Sequence, residues 1–124
     1  MTITLNFNSI LLSSEDPKKL TSFYGKVVEK KPDMDDGGYT GFLIGHCFLT
    51  IGPHDKVHGK SSNPERVLFN FETKDVNKEF KRIKDLGARV ITEPYKMGPA
   101  WITTFADPDG NYFQLMTPWE ETKN

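Results

Sequence analysis

Cysteine and long apolar runs are both scarce in this sequence of 124 residues. The one cysteine, Cys47, excludes an intrachain disulfide and a zinc site built from several thiolates. The longest apolar runs, such as Phe42–Ile44, are far shorter than the ~20 residues that a helix needs to cross a bilayer. We therefore expect neither a disulfide-stabilised secreted protein nor an integral membrane protein.

A surplus of charge of either sign is also missing. Lys and Arg number 16 against 17 for Asp and Glu, and the formal net charge is −1. The basic residues are scattered, so no basic patch is evident for a phosphate backbone or an anionic membrane surface. The N-terminus has no basic segment followed by an apolar stretch. We predict a soluble, cytoplasmic protein that binds neither nucleic acid nor membranes.

Glycine, proline and polar residues are concentrated in one stretch near the middle of the chain. This stretch separates two halves that show the same order of patterns. The length of the chain allows one domain. We predict a single domain over residues 1–124, with a first module over about 1–52, a linker over about 53–65 and a second module over about 66–118.

The first half begins with a strand-like run over residues 3–12. Asp16 and Pro17 have the residue types of a helix N-cap and a first helical position. Apolar residues at helical spacing indicate the helix that follows, namely Leu20, Phe23, Tyr24 and Val27. The sequence then predicts a solvated acidic turn that includes Asp33, Asp35 and Asp36, and two strands over 39–44 and 47–51.

The second half repeats this order. A strand over 67–71 precedes a helix that Asp75 caps, that carries apolar residues at helical spacing and that Gly87 ends. Three strands follow, over 89–95, 101–106 and 112–116, and the last two are joined by a turn over 107–110. We assign each half the order strand, helix, strand, strand, strand, although the sequence locates all three closing strands only in the second half and two of them in the first.

The first strand of each half is apolar on both of its faces. One face can cover the helix of its own half, and the other face needs a second cover. We therefore predict an α+β fold in which each half curls its four strands around a shared concave cleft.

The segment over residues 105–115, FADPDGNYFQL, resembles the closing turn and strand of the vicinal oxygen chelate superfamily. That superfamily includes glyoxalase I, bleomycin-resistance proteins and extradiol dioxygenases. Asp16–Pro17 followed by Phe23–Tyr24 is similar to its first-helix signature, and residues 75–90 are similar to its second. The resemblance covers nearly the whole chain and implies two βαβββ modules that form curled mixed sheets.

The resemblance also has a consequence for metal binding. Metal-dependent members hold a divalent ion with up to four residues, typically His and Glu, from the first and fourth strands of each half. The matching positions in this chain are Ser9, about Thr50, Leu68 and Gln114. Hydroxyls and a neutral amide are weak ligands, and leucine is none. The resemblance therefore implies that the metal site is absent, and we predict no cofactor.

Two histidines, His54 and His58, are four residues apart, a spacing that some zinc pairs use on a helix. The glycine and proline residues around them argue against a helix. We expect a solvated linker, and a metal or substrate role is the alternative.

The candidate ligand residues lie mostly in the second half. Tyr112, Gln114 and Met116 share one face by the two-residue period of a strand. We expect aromatic residues to stack on a flat or hydrophobic ligand while Gln114 supplies a directional hydrogen bond. The alternative is that the aromatic residues belong to ordinary core and rim. The full candidate set is Ser9, Thr50, Leu68, Tyr95, Trp101, Tyr112, Gln114 and Met116.

Functions from different classes stay open at this point, and no catalytic residue is assigned. The leading hypothesis is a metal-independent small-molecule binding protein of the glyoxalase/bleomycin-resistance type. The alternative is a metal-dependent glyoxalase-like lyase, isomerase or dioxygenase that acts on a small oxygenated substrate. A third is a structural or regulatory protein with an unused cleft. The resemblance also implies a homodimer, because the superfamily commonly completes its concave sites by pairing modules within or between chains.

Overall fold

The computed structural model describes residues 4–118 of the chain. The chain divides into two compact units, Met1–Gly59 (unit one) and Lys60–Asn124 (unit two), and the boundary lies inside the predicted linker. Each unit has one helix and one four-stranded mixed sheet, in the order strand, helix, strand, strand, strand. The predicted α+β fold of two βαβββ modules is therefore confirmed. That both modules form a single domain stays a prediction.

Unit one contains β1 (Ser9–Ser13), α1 (Pro17–Val28), β2 (Met34–Asp36), β3 (Tyr39–Ile44) and β4 (Cys47–Gly52). Its strands lie in the order β1-β4-β3-β2. β1 and β4 are parallel, whereas β3 is antiparallel to both of its neighbours. A parallel pair needs a long crossover connection, and the chain between β1 and β4 supplies one that includes α1.

Helix α1 begins where the sequence predicts. The Asp16 carboxylate accepts a hydrogen bond from the backbone N–H of Lys19 at 3.2 Å. Pro17 stands in the first turn, where a backbone donor has no partner inside the helix. One side of the helix is buried through Leu20, Tyr24 and Val27, and the core of unit one also contains Phe42, Leu49 and Ile51.

Unit two contains β5 (Leu68–Glu72), α2 (Val76–Asp85), β6 (Arg89–Met97), β7 (Ala100–Ala106) and β8 (Tyr112–Met116). Its strands lie in the order β5-β8-β7-β6, with β5 parallel to β8 and the other pairs antiparallel. Asp75 caps α2 through a 3.1 Å bond from the N–H of Lys78. Within residues 4–118, neither helix is long and apolar enough to cross a membrane.

Aromatic rings fill the core of unit two beneath α2. Phe113 and Phe105 are both fully buried, and their rings stack with centroids 5.6 Å apart. The ring of Phe113 also contacts those of Phe69 and Phe71, at 6.2 and 5.8 Å between centroids. Phe80 of α2 lies 5.5 Å from Phe105. These contacts hold β5, β7 and β8 against the helix through one face of the sheet.

The turn that joins β7 to β8 has the predicted position. The N–H of Gly110 donates to the carbonyl oxygen of Asp107 at 2.9 Å. The Asp107 carboxylate also accepts hydrogen bonds from the backbone N–H groups of Asp109 and Asn111, at 2.9 and 3.0 Å. Gly110 has φ 81°, a left-handed conformation that glycine adopts without strain. This network sets the point at which β8 begins.

Two predicted boundaries in unit one are wrong. β1 begins at Ser9, so residues 4–8 of the predicted strand are not part of it, and residue 3 of that prediction lies outside the described residues. The partner strand β4 begins at Cys47, and Ser9 already lies opposite Phe48. Residues 34–36 are exposed, as the prediction of a solvated acidic segment requires, but they form the short edge strand β2 rather than a turn. All three of its residues are exposed, so the strand has no apolar alternation by which the sequence could reveal it.

The neighbouring Asp33 ties the chain before β2 to β3. Its carboxylate accepts hydrogen bonds from the backbone N–H of Leu43 at 2.7 Å and forms a 2.7 Å ion pair with Lys30. The hydrogen bond from Lys30, followed by that from Leu43, lowers the pKa of Asp33. The acidic residue that the sequence assigns to a solvated turn therefore has a structural role.

Candidate functional site

Strand β8 presents one buried face and one open face. Phe113 and Leu115 are buried on the side that carries α2, so Tyr112, Gln114 and Met116 point to the opposite side and are only partly buried. The prediction that these three residues share a face is confirmed. Because Phe113 and Leu115 point to the helix side, they cannot contribute to a site on the open side.

The strands beside β8 extend this open side. Leu68, Asn70 and Glu72 of β5 lie opposite Tyr112, Gln114 and Met116 in that order. On the other flank, Ile102 lies opposite Met116 and Thr104 opposite Gln114, and Tyr95 of β6 is paired with Ile102. We call this surface the open face of unit two; it consists of Leu68, Asn70, Glu72, Tyr95, Ile102, Thr104, Tyr112, Gln114 and Met116.

A side-chain hydrogen bond fixes Gln114 at the centre of the open face of unit two. The Gln114 amide nitrogen donates to Thr104 Oγ1 at 3.0 Å, and Thr104 is only 5% exposed. Within the described residues, the Gln114 carbonyl oxygen has no hydrogen-bond partner. The arrangement therefore holds the amide in one orientation and leaves an acceptor for a ligand.

Trp101 does not belong to this open face. It precedes Ile102 on β7 and therefore points to the other side of the sheet, where its partner in the register is Lys96. The Lys96 ammonium lies 5.8 Å from the centroid of the indole ring, a cation–π contact. The register thus corrects the candidate set by removing Trp101, because the sequence did not fix which face of β7 carries it.

Ser9 and Thr50 lie on the side of the unit one sheet opposite α1. Their register partners are Phe48 and Leu11, which share that side. We call this surface the open face of unit one; it consists of Ser9, Leu11, Met34, Tyr39, Leu43, Phe48 and Thr50. The Thr50 hydroxyl donates to the carbonyl oxygen of Ile10 at 2.8 Å, and the Ser9 hydroxyl donates to the Asn8 side chain at 2.9 Å.

The donor set at the four positions implied by the superfamily does not fit a divalent metal. In unit one, the positions hold two neutral hydroxyls that are already engaged with the protein. In unit two, Leu68 has no atom that can bind a metal. The Gln114 amide nitrogen donates a hydrogen bond to Thr104, and the amide as a whole is a neutral, weak ligand. Among residues 4–118, no group of three or more His, Cys, Asp or Glu side chains could hold a metal ion. That the chain binds no divalent metal stays a prediction, which rests on this donor chemistry.

The two linker histidines lie in irregular structure rather than on a helix. His58 Nδ1 is 3.3 Å from the Glu15 carboxylate, and both side chains are more than half exposed. His54 Nδ1 accepts a hydrogen bond from the N–H of Lys56 at 3.1 Å. The spacing of four residues therefore does not place the two imidazoles on one helical face.

Sequence reasoning missed four residues of the open face of unit two, namely Asn70, Glu72, Ile102 and Thr104. Of these, Thr104 is the one that holds Gln114. Thr103 and Thr104 are adjacent and chemically identical, so the sequence offers no signal for which of them faces Gln114. The register places the fully buried Thr103 on the helix side, where its hydroxyl donates to the carbonyl oxygen of Thr92 at 2.7 Å. Only strand pairing identifies Thr104 as the partner of Gln114.

Comparison with known proteins gives one family and several similar structures. The sequence profile of the glyoxalase-like domain family matches residues 9–116. The chain is 41% identical over 46 residues to the uncharacterized protein YurT of Bacillus subtilis (strain 168), a match that spans 37% of this chain and 36% of YurT.

Two solved structures resemble the protein along most of its length. The genomically encoded fosfomycin resistance protein FosX from Listeria monocytogenes superposes with a TM-score of 0.72 at 19% identity, and each chain is covered to 100%. A glyoxalase/bleomycin resistance protein/dioxygenase family enzyme from Burkholderia phytofirmans PsJN superposes with a TM-score of 0.75 at 17% identity, over 91% of this chain and 98% of the other. At these identities the likeness concerns the fold alone.

The donor set predicts that the purified chain holds no stoichiometric divalent metal. After loading with nickel, zinc, manganese or iron(II), elemental analysis should find far less than one ion per chain, and the melting temperature should not rise. Gln114→Glu should behave in the same way, because Ser9 and Leu68 still supply no strong ligand. One ion per chain, with a rise in melting temperature that chelator reverses, would contradict the prediction.

Proposed function

The chain belongs to the glyoxalase-like domain family, within the vicinal oxygen chelate superfamily, and we propose that it is a metal-independent small-molecule binding protein. The proposed site is the open face of unit two. The observation that carries this proposal is the Gln114–Thr104 hydrogen bond at the position where metal-dependent members have a carboxylate ligand. A neutral amide held in this way suits a hydrogen bond to an organic ligand better than a metal bond.

The surface around Gln114 suggests the chemistry of the ligand. Leu68, Ile102 and Met116 provide apolar contacts, and Tyr95 and Tyr112 provide aromatic rings with a polar end. Glu72 is the one carboxylate of this face. The combination favours a small, largely apolar or flat molecule that donates a hydrogen bond to Gln114.

The alternative is a metal-dependent lyase, isomerase or dioxygenase with the same fold. Such an enzyme uses a bound metal ion as a Lewis acid to polarise an oxygen atom of its substrate, and the resemblance places one carboxylate ligand of that ion at the position of Gln114. The similar Burkholderia phytofirmans PsJN protein is described as a family enzyme, which keeps this alternative in view. The neutral donor set counts against it here.

Gln114→Ala should weaken binding of a ligand found by screening. Loss of one directional hydrogen bond costs about 0.5–1.5 kcal/mol, so the dissociation constant should rise about two- to twelvefold, which isothermal titration calorimetry can measure. Chelator should leave the wild-type affinity unchanged.

Asn77→Ala is the matched control, because Asn77 is an exposed amide on α2. It should leave the affinity unchanged, and thermal melts of both variants should show that the fold is kept. Equal affinity of Gln114→Ala and wild type, or loss of binding on adding chelator, would show that the site or its chemistry is placed wrongly.

We also propose that the protein is a homodimer. The support lies on the open face of unit one, where Leu11 is 54% exposed and Leu43, Tyr39 and Met34 are each about 40% exposed. Apolar side chains that share one sheet face in this way form a surface that a second copy can cover.

Substitution of Leu11 by Asp should dissociate this dimer. Burying a charge in place of a leucine removes apolar contact and adds a desolvation cost. Sedimentation at micromolar concentration should therefore show a dimer for the wild type and a 14.1 kDa species for Leu11→Asp. Leu86→Asp is the control, since Leu86 is similarly exposed at the end of α2. A wild-type protein that sediments as a 14.1 kDa species would refute the dimer.

A further inference from the structure

Unit two has a pocket of about 370 Å³ whose lining residues do not belong to the open face of unit two. It lies at the amino ends of β5 and β8, because Val67 and Asn111 directly precede the paired residues Leu68 and Tyr112. The loop before β5 supplies the rest of its lining. The lining residues are Ser61, Ser62, Asn63, Pro64, Arg66, Val67 and Asn111; we call it the loop pocket.

Backbone contacts hold the walls of the loop pocket. The N–H of Ser61 donates to the carbonyl oxygen of Asp109 at 2.8 Å, which ties the loop to the turn before β8. The N–H of Arg66 donates to the carbonyl oxygen of Asn63 at 3.0 Å, which closes the loop on itself. A Cβ atom built on Gly110 would lie 3.5 Å from Lys60 Cβ, so the loop and the turn also pack closely.

Four of the seven residues that line the loop pocket, Ser61, Ser62, Asn63 and Arg66, carry side-chain hydrogen-bond donors that are free of protein partners among residues 4–118. Within residues 4–118, the Arg66 guanidinium has no ion pair, and the Ser61 and Ser62 hydroxyls and the Asn63 amide have no side-chain hydrogen bond. No carboxylate is among the lining residues. The lining residues therefore supply guanidinium, hydroxyl and amide donors, the groups that bind the oxygens of a carboxylate or phosphate group.

The carboxylates of the adjacent turn do not contribute to the lining. Asp107 is engaged with Asn111, whose amide nitrogen lies 3.0 and 3.3 Å from the two carboxylate oxygens. Asp109 has one carboxylate oxygen that is buried and lacks a partner among the described residues, so this oxygen is not presented at an open surface. Glu65, between two lining residues, is exposed and is not part of the lining.

We propose that the loop pocket binds a small oxyanion, a carboxylate or phosphate group, with Arg66 as the principal contact. This proposal is independent of the ligand site on the open face of unit two, because it uses none of its residues. The arrangement has one cation on an exposed loop, so the affinity expected for an isolated anion is in the millimolar range.

The experiment titrates the ¹⁵N-labelled protein with inorganic phosphate and, separately, with acetate, against sodium chloride at matched ionic strength. Amide shifts at Ser62, Asn63, Arg66 and Asn111 should change and saturate with at least one of the two anions. Binding of either anion supports the proposal. The anion with the lower dissociation constant shows whether the pocket suits a phosphate or a carboxylate group.

Arg66→Gln should raise the dissociation constant of the tighter anion about tenfold, because it removes a charge-assisted hydrogen bond. Arg89→Gln is the matched control, since it removes the same charge from an exposed position on β6 outside the loop pocket. The control should bind within about twofold of wild type. Shifts that do not saturate, or an equal loss in both variants, would overturn the proposal and indicate general charge screening.

Discussion

The position of β8 between β5 and β7 is the constraint on which the candidate site depends. Phe113 and Leu115 are buried beneath α2, and this burial fixes which face of the strand every other residue occupies. A slip of one residue would expose both side chains and place Gln114 in the core. The aromatic cluster around Phe113 therefore stabilises the fold and, through the strand period, orients the proposed ligand residues.

The same constraint explains why the chemistry of the site can change while the fold is kept. Residues on the helix side must fill a packed core, whereas Leu68 and Gln114 on the open side are not needed for that packing. The module therefore packs its core whatever the chemistry of these two open-side positions. The Gln114–Thr104 bond satisfies the amide nitrogen within the protein, so no metal is needed to order this side chain.

Much of the fold could be predicted from the sequence because its signals are local. Asp16 and Asp75 mark both helix starts as caps, and the apolar periods that follow them set the buried faces. β2 was missed because an exposed, acidic edge strand of three residues has neither apolar alternation nor strong strand propensity. The start of β1 was missed because it depends on where its partner β4 begins.

The candidate site could be predicted only in part, for a related reason. Alternation within β8 correctly grouped Tyr112, Gln114 and Met116, since these residues share one strand. Which residues of β7 share this face depends on the pairing of β7 with β8, and the sequence contains no local signal for that pairing. For that reason Trp101 was wrongly included and Thr104 was not identified. The loop pocket was also missed, because it brings together residues 61–67 and Asn111 from distant parts of unit two.

The most direct test of metal-independent binding is a crystal structure of the protein with a screened ligand, grown with manganese present. Metal-independent binding predicts ligand density on the open face of unit two, with a ligand donor about 3 Å from the Gln114 carbonyl oxygen. It also predicts no anomalous scattering peak bonded to that side chain. A manganese peak coordinated by Gln114, or ligand density away from this face, would contradict it.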